Sequence, residues 1–257
     1  MRIDDLDPPR VAAGAADDIL RTLAACGLEW DGAIARQSTR SDAYHAALHR
    51  LRQSHLLYPC ACSRREIADS AMAGADGSVY PGTCRDGTAP ARPARALRLD
   101  TRGRIIAFDD AIQGRVTRNI AAEIGDFIVY RADRVFAYHL ATVVDDAGQG
   151  VTHVVRGADL LASTPRQILL QRLLGLPTPG YAHLPVAVDD RGVKLSKQTL
   201  AAPVDARAPL PALRKALQFL GHPPPRQTAG KLDDLWRWAL SEWRLERVPR
   251  EHRRRLG

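Results

Sequence analysis

The feature that most constrains this chain is the alternation of strand-like and helix-like segments across residues 126–198. Residues 127–130 read as a strand and lead into an apolar run at 136–144. Residues 151–155 read as a second strand, which ends at Arg156, Gly157, Ala158 and Asp159. A helix start follows, with Thr164 as N-cap, Pro165 in the first turn and Gly175 just past the last apolar residue. Residues 183–188 read as a third strand, Asp190 and Gly192 as a turn, and 194–198 as a short basic loop, KLSKQ. Strands that alternate with helices predict an α/β fold built on a parallel sheet. Ligands of such sheets bind beyond the carboxyl ends of the strands. Arg156, Lys194 and Lys197 all follow such ends, so an anionic ligand is expected there.

The 257 residues allow one large domain or two modest ones. No apolar run is long enough to cross a bilayer, and the start lacks a signal-peptide pattern, so a cytoplasmic protein without a membrane partner is expected. A formal charge of +8 favours a polyanionic partner such as RNA or DNA. Arginine supplies nearly all of the positive charge, which a high-GC genome would also produce. Part of the excess, at 244–255, reads as a solvated tail.

Outside the central stretch the spacing of apolar residues predicts further elements. A helix from about 16 carries Ile19, Leu20 and Leu23 on one face, with Gly27 as its cap. A second helix, 41–54, turns Tyr44, Leu48 and Leu51 inward. Residues 96–100, 105–109 and 115–119 read as strands of one inserted antiparallel piece. Two helices close the chain: 210–220, with Leu213, Leu217 and Leu220 on one face, and 232–243, with Leu235, Trp236 and Leu240 packing.

Cys60, Cys62 and Cys84 lie within twenty-five residues of one another and do not look like a secreted disulfide framework. Their spacing suits a structural metal, with His55, Tyr80, Asp86 or water open as the fourth ligand. The alternative is three reduced, buried thiols. Cys26 stands apart and reads as a small core residue. Ser63 and Glu66 have the spacing of a capping box.

VVRGADLLASTPRQ and, some forty residues on, HLPVAVDDRGVKLSKQ resemble the class I aminoacyl-tRNA synthetases of the glutamyl type, with KLSKQ similar to the KMSKS-type loop. RIDDLDPPR near the start and the cysteine segment CAC…YPGTC support the same resemblance, which covers most of residues 2–198. It implies a Rossmann-like class I catalytic domain from 1–58 and 120–204, an inserted zinc-bearing α+β module at 59–119, and a small helical region at 205–257. Members carry a strand, a Gly-rich turn with a HIGH-like signature and a helix ahead of the RIDDLDPPR motif. The catalytic domain is therefore expected to be N-terminally truncated in this sequence, with the remainder encoded upstream of Met1. A non-catalytic, zinc-bearing RNA-binding remnant is the competing expectation.

By resemblance, Lys197 contacts ATP and is the catalytic residue, with Lys194 and Ser196 in the same ATP-binding loop. The residues alone also allow an exposed basic turn. Arg156 would read the side chain of glutamate, or instead pair with Asp159 or Asp145. Tyr138 would offer its hydroxyl to the amino acid, or else be a core aromatic; His139 reads as structural. Asp4 stands where the family has Glu and would pair with the substrate's ammonium group, one methylene further off. Asp5 and Asp7 read as caps or turn acceptors. One structural zinc would be held by Cys60, Cys62, Tyr80 and Cys84. The short form of the glutamyl type, which has no room for a separate anticodon-binding region, implies a monomer. That form uses ATP with Mg²⁺ to activate L-glutamate and transfers it to the queuosine base in the anticodon loop of tRNA(Asp). The alternative is a glutamyl-tRNA synthetase charging a tRNA 3′ end.

Overall fold

The computed structural model describes residues 1–7, 11–63, 65–67, 72–74, 77–87, 93–94, 96–196, 201–225 and 230–256. Two short strands, β1 (Arg2–Ile3) and β2 (Ala35–Arg36), pair in parallel around α1 (Ala15–Ala25) and are followed by α2 (Ser41–Gln53). Then come β3 (Leu57–Cys60), a hairpin of β4 (Met72–Gly74) and β5 (Gly77–Val79), β6 (Ala96–Leu99), β7 (Ile105–Asp110) and β8 (Gly114–Asn119). A short α3 (Ile120–Glu123) leads to β9 (Ile128–Tyr130), α4 (Tyr138–Gly148), β10 (His153–Gly157), α5 (Thr164–Leu174), β11 (Gly180–Leu184) and β12 (Val186–Val188). The last elements are α6 (Pro209–Phe219), α7 (Leu232–Glu242) and β13 (Arg253–Arg255). No helix among the described residues is long and apolar enough to cross a membrane.

The main sheet has the order β10–β11–β7–β8. β10, β11 and β7 run parallel, and β7 turns back on β8 as a hairpin. A second, antiparallel sheet is ordered β3–β6–β9. The three strands expected to form one antiparallel piece therefore divide: β6 joins the cysteine-bearing β3, while β7 and β8 complete the main sheet. The edge of β11 explains the difference. Its parallel pairing with β10 leaves the other edge open; the end of β7 meets that edge at Tyr181–Asp110, where Ala111 N donates to Tyr181 O and the Asp110 side chain takes the His183 N–H.

α2, α4 and α5 close over these sheets. Tyr44, Leu48 and Leu51 point inward as their spacing predicts, and meet Leu140, Ile168, Leu169 and Leu170, all at most 6 % exposed. α5 ends at Gly175, whose positive φ of 64° suits a residue without Cβ. Thr164 differs from its predicted role. It is already helical, and its hydroxyl makes no capping bond but turns towards Arg156 and His183. α1 buries less than its apolar stripe predicts, for Ile19 is 57 % exposed. Its C-terminal end docks instead: the Trp236 indole donates to Cys26 O at 2.8 Å and stands against Gly27. Of the packing residues expected in α7, Leu235 is buried and Leu240 lies on the solvent side.

Two expectations at the far end are corrected. The single strand read at 183–188 is two strands in different sheets, divided at Pro185. Proline has no N–H for a ladder, so the chain leaves one sheet there and enters another. The basic stretch read as a solvated tail supplies β13, which pairs in parallel with β12 through Val186–Arg253, Ala187–Arg254 and Val188–Arg255.

The helix–sheet seam predicts its own stability test. Ile168→Ala removes a fully buried side chain and is expected to cost about 2–5 kcal/mol in urea denaturation. A loss below about 1 kcal/mol would mean that α5 does not carry the core.

Candidate functional site

Three neighbouring strands of the main sheet end in polar residues. Arg156 on β10 stands opposite His183 on β11, and Asp110 closes β7 beside Tyr181. Asp110 accepts from the backbone N–H groups of Ile112, Gln113 and His183 through Oδ1, and from His183 Nδ1 through Oδ2 at 2.6 Å. Burial opposes the charge on Asp110, but these donors outweigh it and hold its carboxyl below the ordinary value. His183 is fully buried, which pushes its pKa down and keeps it neutral. With Nδ1 donating to Asp110, Nε2 is left as an acceptor. It takes the Arg156 Nε–H at 3.1 Å and lies 3.1 Å from the Thr164 hydroxyl. Arg156 Nη2 donates to Thr164 Oγ1 at 2.8 Å and to Gln167 Oε1 at 2.7 Å. Neither carboxylate considered for Arg156 from sequence is its hydrogen-bond partner. Asp159 receives Lys194 at 2.5 Å, and Asp145 receives Gln37, Arg40 and Tyr44.

Lys194 is placed by a tight hairpin. The Asp189 side chain accepts from the backbone N–H groups of Arg191 and Val193, and Leu195 N donates to Ala187 O on β12. This brings the start of the basic loop to Asp159, three residues past Arg156. Ser196 is the last described residue of that loop, while Lys197 and Gln198 lie outside the described residues.

Asp4 and Tyr138 line one cavity of about 320 Å³ together with Asp7, Gln37, Arg131 and Phe136. Tyr138 opens α4 and is 43 % exposed, so it is not a core aromatic. Arg2 holds Asp4 at 2.7 Å and also reaches Asp146 on α4. Asp5 caps Ser38 through its backbone N and its hydroxyl, both at 2.8 Å, as expected of it, whereas Asp7 forms an ion pair with the distant Arg131. His139 is pushed down to about 3 by burial, with Arg166 and Arg156 adding to the effect. Arg156 is not among the residues lining this cavity.

The cysteines converge. The sulfurs of Cys60, Cys62 and Cys84 lie within 4.8 Å of one another, and all three are free thiols. Tyr80 Oη lies 3.6 Å from Cys60 Sγ and 3.5 Å from Cys62 Sγ, and Cys62 and Cys84 are 3.4 Å apart. A tetrahedral metal with bonds of about 2.3 Å to sulfur spaces its ligands about 3.8 Å apart, so the four atoms already outline such a cage. The cluster can therefore hold a metal ion. Of the three side chains considered for the fourth ligand, Tyr80 is the one that lies against the sulfurs. Burial raises the Cys62 thiol to about 11 and lifts the Tyr80 phenol above its ordinary range. The Cys84 thiol falls to about 7: burial opposes this, but hydrogen bonds from Tyr80 and the Ala61 backbone prevail. Arg98, only 5 % exposed, donates to Cys60 Sγ at 3.2 Å and stacks 3.7 Å from the centre of the Tyr80 ring. Its positive charge suits a cluster of thiolates. Ser63 and Glu66 form the reciprocal capping box expected of them just beyond Cys62.

Sequence reading singled out neither Asp110 and His183 nor Asp126, which accepts from Tyr58, Arg85 and Thr101 beside the cysteine module. The available signal was a polar residue at the inner end of an apolar segment, as in IIAFDD and YAHLPV.

Residues 1–210 match the family model described as tRNA synthetases class I (E and Q), catalytic domain. The chain is 56 % identical to the glutamyl-Q tRNA(Asp) synthetase of Aromatoleum aromaticum, over 98 % of this chain and 80 % of that protein. It is 53 % identical to the glutamyl-Q tRNA(Asp) synthetase of Chromobacterium violaceum, over 97 % of this chain and 83 % of that one. Among solved structures, the glutamate-tRNA synthetase of Elizabethkingia anophelis superposes with a TM-score of 0.77 at 21 % identity. The match covers 99 % of this chain and 60 % of that one, and shows a common fold.

The cysteine cluster is tested with cobalt. Titration of the reduced protein with Co²⁺ is expected to produce thiolate-to-metal absorption, and Cys84→Ser to abolish or shift it. An unchanged spectrum on adding Co²⁺ to the folded protein would exclude a metal cage.

Proposed function

The chain belongs to the class I (E and Q) tRNA synthetases, and from that membership we propose that it is an ATP-dependent ligase that activates L-glutamate and transfers it to the queuosine base of tRNA(Asp). The observation that carries this reading is the 56 % identity, across nearly the whole chain, to a protein named for that activity. A tRNA substrate would go with a cytoplasmic location, and a charge of +8 suits an RNA partner.

Formation of a glutamyl-adenylate begins with the amino acid's carboxylate attacking the α-phosphorus of ATP. The bond to pyrophosphate breaks, and negative charge accumulates on the leaving oxygens. Mg²⁺ enters with ATP and neutralises part of that charge. Lys194 and Lys197 are proposed to neutralise the rest from the basic loop, with Lys197 as the catalytic cation and the Ser196 hydroxyl donating to the phosphates. In this reading the Lys194–Asp159 ion pair is a resting contact that ATP phosphates would displace. Arg156 is proposed to receive the side-chain carboxylate of glutamate, Tyr138 to donate its hydroxyl to the amino acid, and Asp4 to pair with the ammonium group. In the second half-reaction a hydroxyl of the queuosine base attacks the activated carbonyl and AMP leaves. Zinc is the metal assigned to Cys60, Cys62, Tyr80 and Cys84. When bound it would supply no chemistry to the reaction and would pin a module with only a small apolar cluster of its own.

Two measurements test the reading. Glutamate-dependent ATP–pyrophosphate exchange is expected without tRNA once the chain is preceded by the HIGH-like segment of its family, using the Aromatoleum aromaticum relative as a positive control. Lys197→Ala is expected to lower it by about a hundredfold or more, the scale of a lost transition-state charge contact. Exchange at the wild-type rate would remove Lys197 from the mechanism. Metal analysis of the purified protein is expected to find about one zinc per chain, which Lys197→Ala leaves unchanged.

A further inference from the structure

Arg156 is held by neutral side chains, unlike four other arginines that are fixed by acids. Arg2, Arg40, Arg85 and Arg131 each meet a carboxylate, at Asp146, Asp145, Asp126 and Asp133. Arg156 instead meets the His183 imidazole, the Thr164 hydroxyl and the Gln167 amide oxygen. The carboxylate behind His183, Asp110, is separated from Arg156 by the imidazole ring, and the carboxylate three residues on, Asp159, holds Lys194. The guanidinium is thus fixed in two directions, and among the described residues no carboxylate bonds to it.

Keeping it so carries a cost that a purely structural contact would not explain. Gln167 is 2 % exposed, and with its oxygen turned to Arg156 its Nε2 makes no hydrogen bond. A glutamate at the same position would accept the same bond from Arg156 and would form an ion pair. A pre-oriented guanidinium with no carboxylate bonded to it is the arrangement that binds an incoming carboxylate best. The ligand brings the neutralising charge, and no internal partner has to be displaced.

We infer that Gln167, Thr164 and the Asp110–His183 pair are positioning residues that determine specificity for an acidic amino acid, because they hold Arg156 in place without spending its charge. The inference rests on the proposed reading of Arg156 as the partner of the substrate's side-chain carboxylate. Gln167→Glu keeps the shape and the hydrogen bond but neutralises the guanidinium from within. His183→Asn still donates to Asp110 from the place of Nδ1 but offers no acceptor at the place of Nε2.

The experiment measures ATP–pyrophosphate exchange on wild type, Q167E and H183N, each preceded by the HIGH-like segment, varying L-glutamate and ATP separately, with calorimetric titration of L-glutamate to read binding without turnover. Q167E is expected to raise the KM and Kd for glutamate by roughly tenfold or more, the weight of one charged hydrogen-bonded contact, and to leave the KM for ATP unchanged. H183N is expected to move the same parameters in the same direction. A Q167E protein with wild-type affinity for glutamate overturns the inference, as does an equal rise in KM for both substrates. The isosteric Q167E carries the test if H183N does not fold. Arg156→Lys separates the two levels: wild-type glutamate affinity in that variant would overturn the reading of Arg156 itself, whereas a loss there with an unchanged Q167E would overturn the inference alone.

Discussion

A single buried carboxylate, Asp126, joins the cysteine module to the sheet and helices. Its Oδ2 accepts from the Tyr58 hydroxyl and from Arg85, and its Oδ1 from the backbone and hydroxyl of Thr101. Its backbone carbonyl accepts from Arg98, whose Nε reaches Cys60 Sγ. An ion at zero exposure is tolerated only with such a full set of partners, and leaving one unpaired costs about 3–5 kcal/mol. The partners come from both sides. Tyr58 and Arg85 flank the cysteine cluster, while Asp126 itself opens the segment that runs through β9 to Tyr138. The position of the cysteine loop is therefore tied, through one side chain, to the start of the helix that lines the Asp4–Tyr138 cavity.

Much of this architecture was legible in the sequence, for identifiable reasons. α2 and α5 were read closely because their apolar spacing agrees with what they bury and because Gly175 stops α5 where a left-handed residue is needed. The cysteine cluster was legible because ligands close in sequence have few ways to be far apart in space. The pairing of β7 and β8 with β11 was not, since hairpin strands carry no mark of which sheet will accept their free edge. Thr164 shows the limit at a single residue. Its position suits an N-cap, but a half-buried arginine and a buried histidine compete for the same hydroxyl and win. The electrostatics of Arg156 were equally hidden. Sequence proximity offered Asp159 and Asp145 as partners, and each is already claimed by other cations.

The same contest for carboxylates runs through the molecule. With 37 basic and 29 acidic residues, most acids are drawn into ion pairs. Surface pairs such as Arg115–Asp109 contribute at most about 1 kcal/mol. Asp145 matters far more. It is fully buried and gathers Gln37, Arg40 and Tyr44, which fixes α2 against α4. Burial and that carboxylate also hold the Tyr44 phenol protonated far above its ordinary range. Arg156, bonded to His183, Thr164 and Gln167, stands outside these pairs.

The parallel pairing of β12 with β13 has a consequence in time. β12 carries the turn from which the lysine loop departs, and its outer edge is completed by Arg253–Arg255. During translation Val188 leaves the ribosome long before Arg255, because chains emerge from the amino end at about 5–20 residues per second. Through that interval the nascent β12 has an open edge, and the loop beyond it lacks its final anchorage. The lysine loop thus gains its last anchorage only once the end of the chain has been made.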